Sequence, residues 1–392
     1  MRLRSLRAGF IPLVDAAPLV IARELRFAQQ EGLDLQLIKA PSWATLRDML
    51  VFGQIDAAHM LAPVPIAIAM GLGGMPVRLE ALMVLSVGGN VVGVSRTLAA
   101  RMREAGHPFD FADATTAGQA LITATQGRLR IGVPFPFSMH AELLYYWLNA
   151  LGLSAPQSLD VKTIPPQMMA SAMASGDIDA FCVGAPWGSI AVEQGVGELL
   201  LPTSAIWKFA PEKVLAVRRD WAGAEPDTAG ALMRAVWRAG RWLSNPGNHS
   251  TAAELLARSD YVDVSAEIVE RALSGTLTIS PKGDLRHAPA FLEFHAGAAM
   301  FPWRSQAAWI AARLASHTGL DRSAAMADAA NVFRPDLYRL HLGPAGADLP
   351  GASEKLEGAL SERTPVASAS GRMILEPDSF FDGTVFDLAS RE

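Results

Sequence analysis

Two stretches of this chain repeat, and the repeat limits the fold more than any other feature. Gly53-Gln54-Ile55-Asp56-Ala57-Ala58-His59-Met60-Leu61-Ala62-Pro63 and Gly176-Asp177-Ile178-Asp179-Ala180-Phe181-Cys182-Val183-Gly184-Ala185-Pro186 share six of eleven positions. The context upstream repeats too. An apolar-alternating segment at 33–38 precedes a helical pattern at 42–52, and a segment at 159–164 precedes one at 167–175. Each unit reads strand, helix, Gly, Asp, strand, which is a β-α-β unit with its helix crossing over a parallel sheet. The Gly is predicted to end the helix in the left-handed conformation. The apolar run after the Asp is predicted to be buried on both faces. Two units predict two α/β lobes of similar construction.

Length and composition agree with a large buried core. The chain has 392 residues, half of them hydrophobic, which suits two lobes better than one small domain. One Cys cannot make an intrachain bridge, and a net charge of -5 does not give the basic face of a nucleic-acid binder. The uncharged run 57–77 reaches membrane-spanning length but holds three Pro and three Gly, so it is read as a buried strand, a turn and a short helix. The opening Met1-Arg2-Leu3-Arg4-Ser5-Leu6-Arg7 has basic residues but no apolar stretch of secretory length, so a cytoplasmic chain without a membrane span is expected.

Further strands are expected at 3–10, 79–85, 91–94, 129–133 and 213–217. Helices are expected at 17–30, 118–126, 139–150, 226–245, 251–258, 266–273, 288–297 and 306–315. After Pro226 the strands are expected to stop. Residues 343–372, rich in Gly and Pro, read as a wrapping tail, and Phe380, Phe381, Val385 and Phe386 as its docking end. The expected organisation is 1–90 for the first part of lobe I, 91–213 for lobe II, 214–342 for the return and helical part of lobe I, and 343–392 for the tail.

No enzymatic motif stands out. The eight His show no metal spacing, there is no Gly-rich phosphate loop and no nucleophile elbow, and no metal or cofactor is expected. Cys182, in an apolar strand, reads as a small buried hydrophobe. What does stand out is polar chemistry at helix starts. Ser42 before Trp43, and Ser138 before Met139-His140, are natural N-caps. Helix N-termini offer free N–H groups and partial positive charge, which suits an anion in the crevice of an open α/β sheet. His140 can donate there, or it can be a hydrogen-bonded histidine of a packed first turn. Lys is scarce, six against 28 Arg. Lys213 can supply point charge between lobes or can be a solvated surface group, the reading preferred for Lys208. Trp43 and Trp187 can line a pocket or simply fill the core.

These segments together resemble a known family. Residues 9–18, Gly-Phe-Ile-Pro-Leu-Val-Asp-Ala-Ala-Pro, look like the opening of the nitrate- and bicarbonate-binding proteins of ABC transporters. Pro41-Ser42-Trp43, residues 56–63, Phe137-Ser138-Met139-His140, residues 181–187, Ile206-Trp207-Lys208, Pro211-Glu212-Lys213-Val214-Leu215 and Asp382-Gly383-Thr384-Val385-Phe386-Asp387 match it too. The resemblance implies a type II periplasmic-binding-protein fold, two lobes closing on an oxyanion. It places the family's anion contacts on Trp43, Asn90 of Gly88-Gly89-Asn90, His140, the Val183-Gly184 turn and Lys213. The family's usual Glu in a Gly-Glu-Pro-Trp string is Ala185 here, which leans away from the calcium-assisted bicarbonate members and toward nitrate or nitrite. Read as a chain without a leader, it is expected to resemble the cytosolic NasS-type branch, nitrate/nitrite sensors that hold an ANTAR antiterminator of the NasT type and release it on ligand binding. The alternatives are the substrate-binding component of a nitrate or bicarbonate ABC transporter and, third, an enzyme on this fold. An enzyme would need an acid–base pair, and His140 with Asp15 or Glu142 is the best pair available.

Overall fold

Both repeat units fold into the same arrangement. In the first, β1 (Arg4–Phe10) lies between β2 (Leu33–Lys39) and β3 (Ala57–Leu61), all parallel. In the second, β6 (Leu129–Val133) lies between β7 (Leu159–Thr163) and β8 (Ala180–Gly184), again parallel. The intervening helices end at Gly53 and Gly176, whose φ values of 72° and 77° are the left-handed geometry that glycine adopts without strain. The repeated Asp does the same work in each lobe. Asp56 donates its N–H to Arg7 O at 2.8 Å and accepts the Arg7 N–H on its carboxylate at 2.8 Å. Asp179 donates to Arg130 O at 2.8 Å and accepts from Arg130 Nε at 2.8 Å. The shared sequence thus encodes the lock that starts the third strand of each unit. This computed structural model describes residues 3–389. The outermost residues of the expected first lobe and tail, 1–2 and 390–392, lie outside them.

Each sheet is completed by antiparallel strands. β4 (Leu79–Gly88) and β10 (Pro211–Arg218) join the first, giving the order β2-β1-β3-β10-β4 with the short strand Leu292–Glu293 at the edge. β5 (Asn90–Ser95) and β9 (Gly197–Pro202) join the second, giving β7-β6-β8-β5-β9. The chain therefore passes between sheets twice, at Gly88-Gly89 and across residues 203–210. β3, β4 and β8 are buried along their whole length, as strands covered by helices on both faces must be. Residues 57–77 form β3 and the helix Pro63–Ala69, as expected, and among the described residues no helix is long and apolar enough to cross a membrane.

The elements depart from expectation in several places. Residues 17–30 do not form one helix: Ala17–Glu24 ends and Phe27–Gln30 restarts around Arg26 at φ 59°, a turn no residue type announces. Residues 288–297 do not form the expected helix, apart from the start of a 3₁₀ turn at Ala296–Ala298, because they are used to cover the first crossing. Gly89 N–H donates to Phe291 O at 2.6 Å, and Leu292–Glu293 pairs with β4. Strands therefore continue beyond Pro226, including the hairpin Thr276–Thr278 and Leu285–His287. The tail docks by its aromatics, as expected for Phe380, which stacks on Trp207 with centroids 4.7 Å apart and on Trp309 with centroids 5.7 Å apart. Val385 instead stays about half exposed.

Candidate functional site

Between the sheets lies a sealed polar cluster built from both lobes. The first lobe contributes Trp43, at the start of the helix Trp43–Val51. Its N-cap Ser42 accepts the Thr45 N–H at 3.2 Å. The second lobe contributes His140, in the first turn of the helix Met139–Ala150, capped by Ser138 accepting the Ala141 N–H at 3.2 Å. Asn90 opens β5 directly after the Gly88-Gly89 crossing, where φ values of 69° and 90° require glycine. Val183 and Gly184 end β8, paired with Val91 and Asn90; the expected turn there is the last rung of an antiparallel ladder. Lys213 lies near the start of β10 and is fully buried, whereas Lys208 is exposed.

All six expected residues are thus sequestered from solvent, and five of them approach one another closely. Lys213 Nζ lies 5.5 Å from the centroid of the Trp43 ring. The open side of Gly184 faces the other two polar groups: a methyl group there would stand 3.3 Å from Asn90 Oδ1 and 3.8 Å from His140 Nε2. His140 Nε2, both atoms of the Asn90 amide and Trp43 Nε1 are buried without a hydrogen-bond partner. Orphaned buried polar atoms are rare, and a group of them converging from two lobes makes this the candidate ligand site. Trp187 stands apart, donating Nε1–H to Pro12 O at 2.8 Å across the lobes. With Val14 N–H to Ala185 O at 2.9 Å and Gln167 Nε2 to Pro41 O at 2.9 Å, it holds the cleft shut.

Two ionisable residues of this cluster, His59 and Glu212, escaped the sequence reading, and Asp15 entered it only as an acid–base partner for His140. Asp15 bridges Lys213 Nζ at 2.8 Å and His59 Nε2 at 2.9 Å. Glu212 Oε1 lies 2.9 Å from Lys213 Nζ and 3.2 Å from His140 Nδ1. Neighbouring residues of a strand normally face opposite ways. Here the pairing of β10 with β4 shifts register on both sides of Lys213, and this bulge lets Glu212 and Lys213 share one site. The signals were present: Asp15, His59 and Glu212 are charged or polar residues inside otherwise apolar runs.

Electrostatics follow from burial and these contacts. Burial pushes the Asp15 carboxyl up, but Lys213 and His59 more than offset it, so Asp15 is held below the usual carboxylate range. Burial depresses the Lys213 ammonium, and Asp15 and Glu212 more than restore it. Burial raises Glu212, with Lys213 only partly opposing. Burial, helped by Lys213, drives His140 well below the ordinary imidazole range. Burial likewise lowers His59, against the pull of Asp15. The pairs considered for acid–base chemistry do not form: Asp15 is engaged with His59 and Lys213, and Glu142 with His317 at 2.8 Å. Burial pushes the Cys182 thiol far up, away from nucleophile chemistry. Among the described residues, no three His, Cys, Asp or Glu side chains are grouped as a metal ion requires.

Fold and site together define a two-lobed solute-binding protein of the periplasmic-binding-protein fold. The NMT1-like family model matches residues 2–257. The nitrate/nitrite binding protein NrtA of Nostoc sp. strain PCC 7120 is 30% identical over 391 residues, covering 97% of this chain and 82% of that protein. The nitrate import ATP-binding protein NrtC of Synechocystis sp. strain PCC 6803 is 33% identical over 340 residues, but the chain spans about half, 49%, of that protein's length. The crystal structure of the periplasmic nitrate-binding protein NrtA from Synechocystis PCC 6803 superposes with a TM-score of 0.83 at 27% identity, over 98% of this chain and 96% of that one. The chain belongs to the NMT1-like family, in the group that holds NrtA. These relatives are named for nitrate or nitrite binding and for nitrate import.

Proposed function

We propose that this protein binds nitrate or nitrite between its lobes, with Trp43, Asn90, His140, Val183, Gly184 and Lys213 forming the pocket. The observation that carries the reading is the set of unpartnered buried donors from both lobes around one buried ammonium. The charge balance favours a small monoanion. Lys213 is the one Lys or Arg side chain named in the cluster, and Asp15 and Glu212 already face it, so a divalent anion would meet uncompensated repulsion in a low-dielectric site. A planar, weakly basic oxyanion needs N–H donors more than formal charge. His140, Asn90 and the backbone of Val183 and Gly184 offer them, while the Trp43 ring covers a face. Isothermal titration tests this. Heat is expected with nitrate and nitrite and not with sulfate, or with bicarbonate plus calcium; no heat with either nitrogen oxyanion at millimolar concentration overturns it.

Two uses of such a pocket differ in the partner. The NrtA relatives favour a receptor that presents the anion to an ABC transporter. The regulatory reading, a cytoplasmic sensor that holds a NasT-type ANTAR antiterminator and lets go when ligand closes the lobes, rests on the sequence resemblance. Each partner must distinguish the two lobe arrangements, because a ligand shifts an equilibrium only by differential affinity. Co-purification with and without nitrate separates them. A sensor loses its antiterminator when nitrate is added, whereas a receptor engages its permease in the loaded state.

A further inference from the structure

His140 stands between a carboxylate and the place where the anion is read to sit. Its Nδ1 lies 3.2 Å from Glu212 Oε1 but is not aligned for a hydrogen bond, and its Nε2, on the open side of Gly184, is likewise buried without a partner. A neutral imidazole carries one N–H, and the other nitrogen is an acceptor. If Nδ1–H donates to an ionised Glu212, Nε2 turns a lone pair toward the anion. If Nε2–H donates to the anion, Nδ1 is the lone pair and faces a carboxylate that must then bring its own proton. Either way the hydrogen bonds close only when the pair holds one proton more than neutral histidine plus ionised glutamate. We propose that this site takes up its anion together with one proton, carried on the His140–Glu212 pair. This rests on the anion-binding reading above and deepens it by naming the true ligand as anion plus proton.

The surrounding charges point the same way. Facing the pair are Asp15 from the turn Val14–Ala16, His59 from β3, Cys182 from β8 and Lys213 beside Glu212 on β10. The Asn90 amide of β5 lies beside Glu212 without a well-aligned hydrogen bond, and Ser86 of β4, uncharged, is the ladder partner of Lys213. One ammonium against two ionised carboxylates leaves the cluster at minus one before the anion arrives, and the thiol stays neutral. The extra proton returns the loaded cluster to that same charge. Because His140 and Glu212 belong to different lobes, the pair is assembled only on closure, so proton uptake and anion capture are one event. The proton comes from solvent, and no bond of the anion changes.

Calorimetry of potassium nitrate binding at pH 8, repeated in buffers of different ionisation enthalpy with potassium chloride as the ionic control, counts the protons. Close to one proton taken up per nitrate is expected, and the association constant should fall about tenfold from pH 7.5 to 8.5, the slope of a one-proton linkage. In Glu212→Gln the amide can face Nδ1 without an added proton. Uptake should drop below about half a proton and the pH slope should flatten to roughly twofold per unit. His140→Gln makes the same test should Glu212→Gln not fold. Wild-type binding with no proton uptake overturns the proposal while leaving anion binding intact. Uptake that persists in both variants overturns the assignment to this pair. No nitrate or nitrite heat at all overturns the anion reading, and this proposal with it.

Discussion

Replacing Lys213 by Met keeps the length of the side chain and removes its charge. In the native cluster the ammonium bridges Asp15 at 2.8 Å and Glu212 at 2.9 Å, all three groups being buried. Removing one partner of a buried ion pair costs about 3–5 kcal/mol, because the other charge is left without compensation. Glu212 softens its share, since burial raises its carboxyl and, once the ammonium that opposes this is gone, favours the protonated form. Asp15 does not: it is ionised in the native protein and retains only His59. The expected loss is therefore about 3–4 kcal/mol at pH 7.5, read by urea unfolding followed through tryptophan fluorescence. Its pH dependence has a definite sign. In the wild type the Asp15 carboxyl is held below its unfolded value, so its contribution is present above the ordinary carboxylate range and is lost only as pH falls through the depressed folded value. In Lys213→Met, burial prevails and lifts that folded value above the unfolded one. The deficit is then full at neutral pH and shrinks as acid protonates the buried carboxyl. A deficit under about 1 kcal/mol at pH 7.5, or one that grows between pH 7.5 and 5, refutes the view that Lys213 neutralises a buried acid.

Other outcomes follow from single contacts. Gly184→Ala puts a methyl group 3.1 Å from Leu13 Cδ2 and 3.3 Å from Asn90 Oδ1, so calorimetry should show nitrate affinity weakened by about 1–3 kcal/mol with the fold retained by circular dichroism. His140→Ala should weaken nitrate binding by about 1–3 kcal/mol in the same titration, the range for a hydrogen bond to a charged group. Gly89→Ala must hold φ near 90° and meets Leu292 Cδ1 at 2.9 Å, so thermal unfolding should show a loss of about 1–3 kcal/mol. Phe380→Ala removes the ring stacked against Trp207 and Trp309 and should cost about 3–5 kcal/mol in urea unfolding.

The parts of the fold that local chemistry specifies were legible in the chain. The Gly-Ile-Asp-Ala repeat predicted two matching β-α-β units because Gly53 and Gly176 must leave the helix and Asp56 and Asp179 must lock the next strand. Ser42 and Ser138 were readable as caps because a side-chain oxygen before an apolar helical run has one common use. What stayed hidden depends on contacts far apart in sequence. Glu212 escaped because strand alternation puts it on the face opposite Lys213, and only the bulge against β4 brings both into the site. Asp15 and His59 were visible as polar breaks in apolar runs, yet their partnership spans 44 positions of chain and two elements (59 minus 15). Residues 288–297 have the composition of a helix but are recruited as a lid on Gly88-Gly89, a demand of the crossing and not of the segment itself.

The central claim is that donors from two lobes converge on a small anion, and a crystal structure of the protein grown with nitrate examines it atom by atom. The account predicts a trigonal planar anion beside the Trp43 ring, within hydrogen-bond distance of His140 Nε2, the Asn90 amide and the Gly184 backbone. Nitrate found only elsewhere, with those buried donors satisfied by the protein's own side chains, would contradict it.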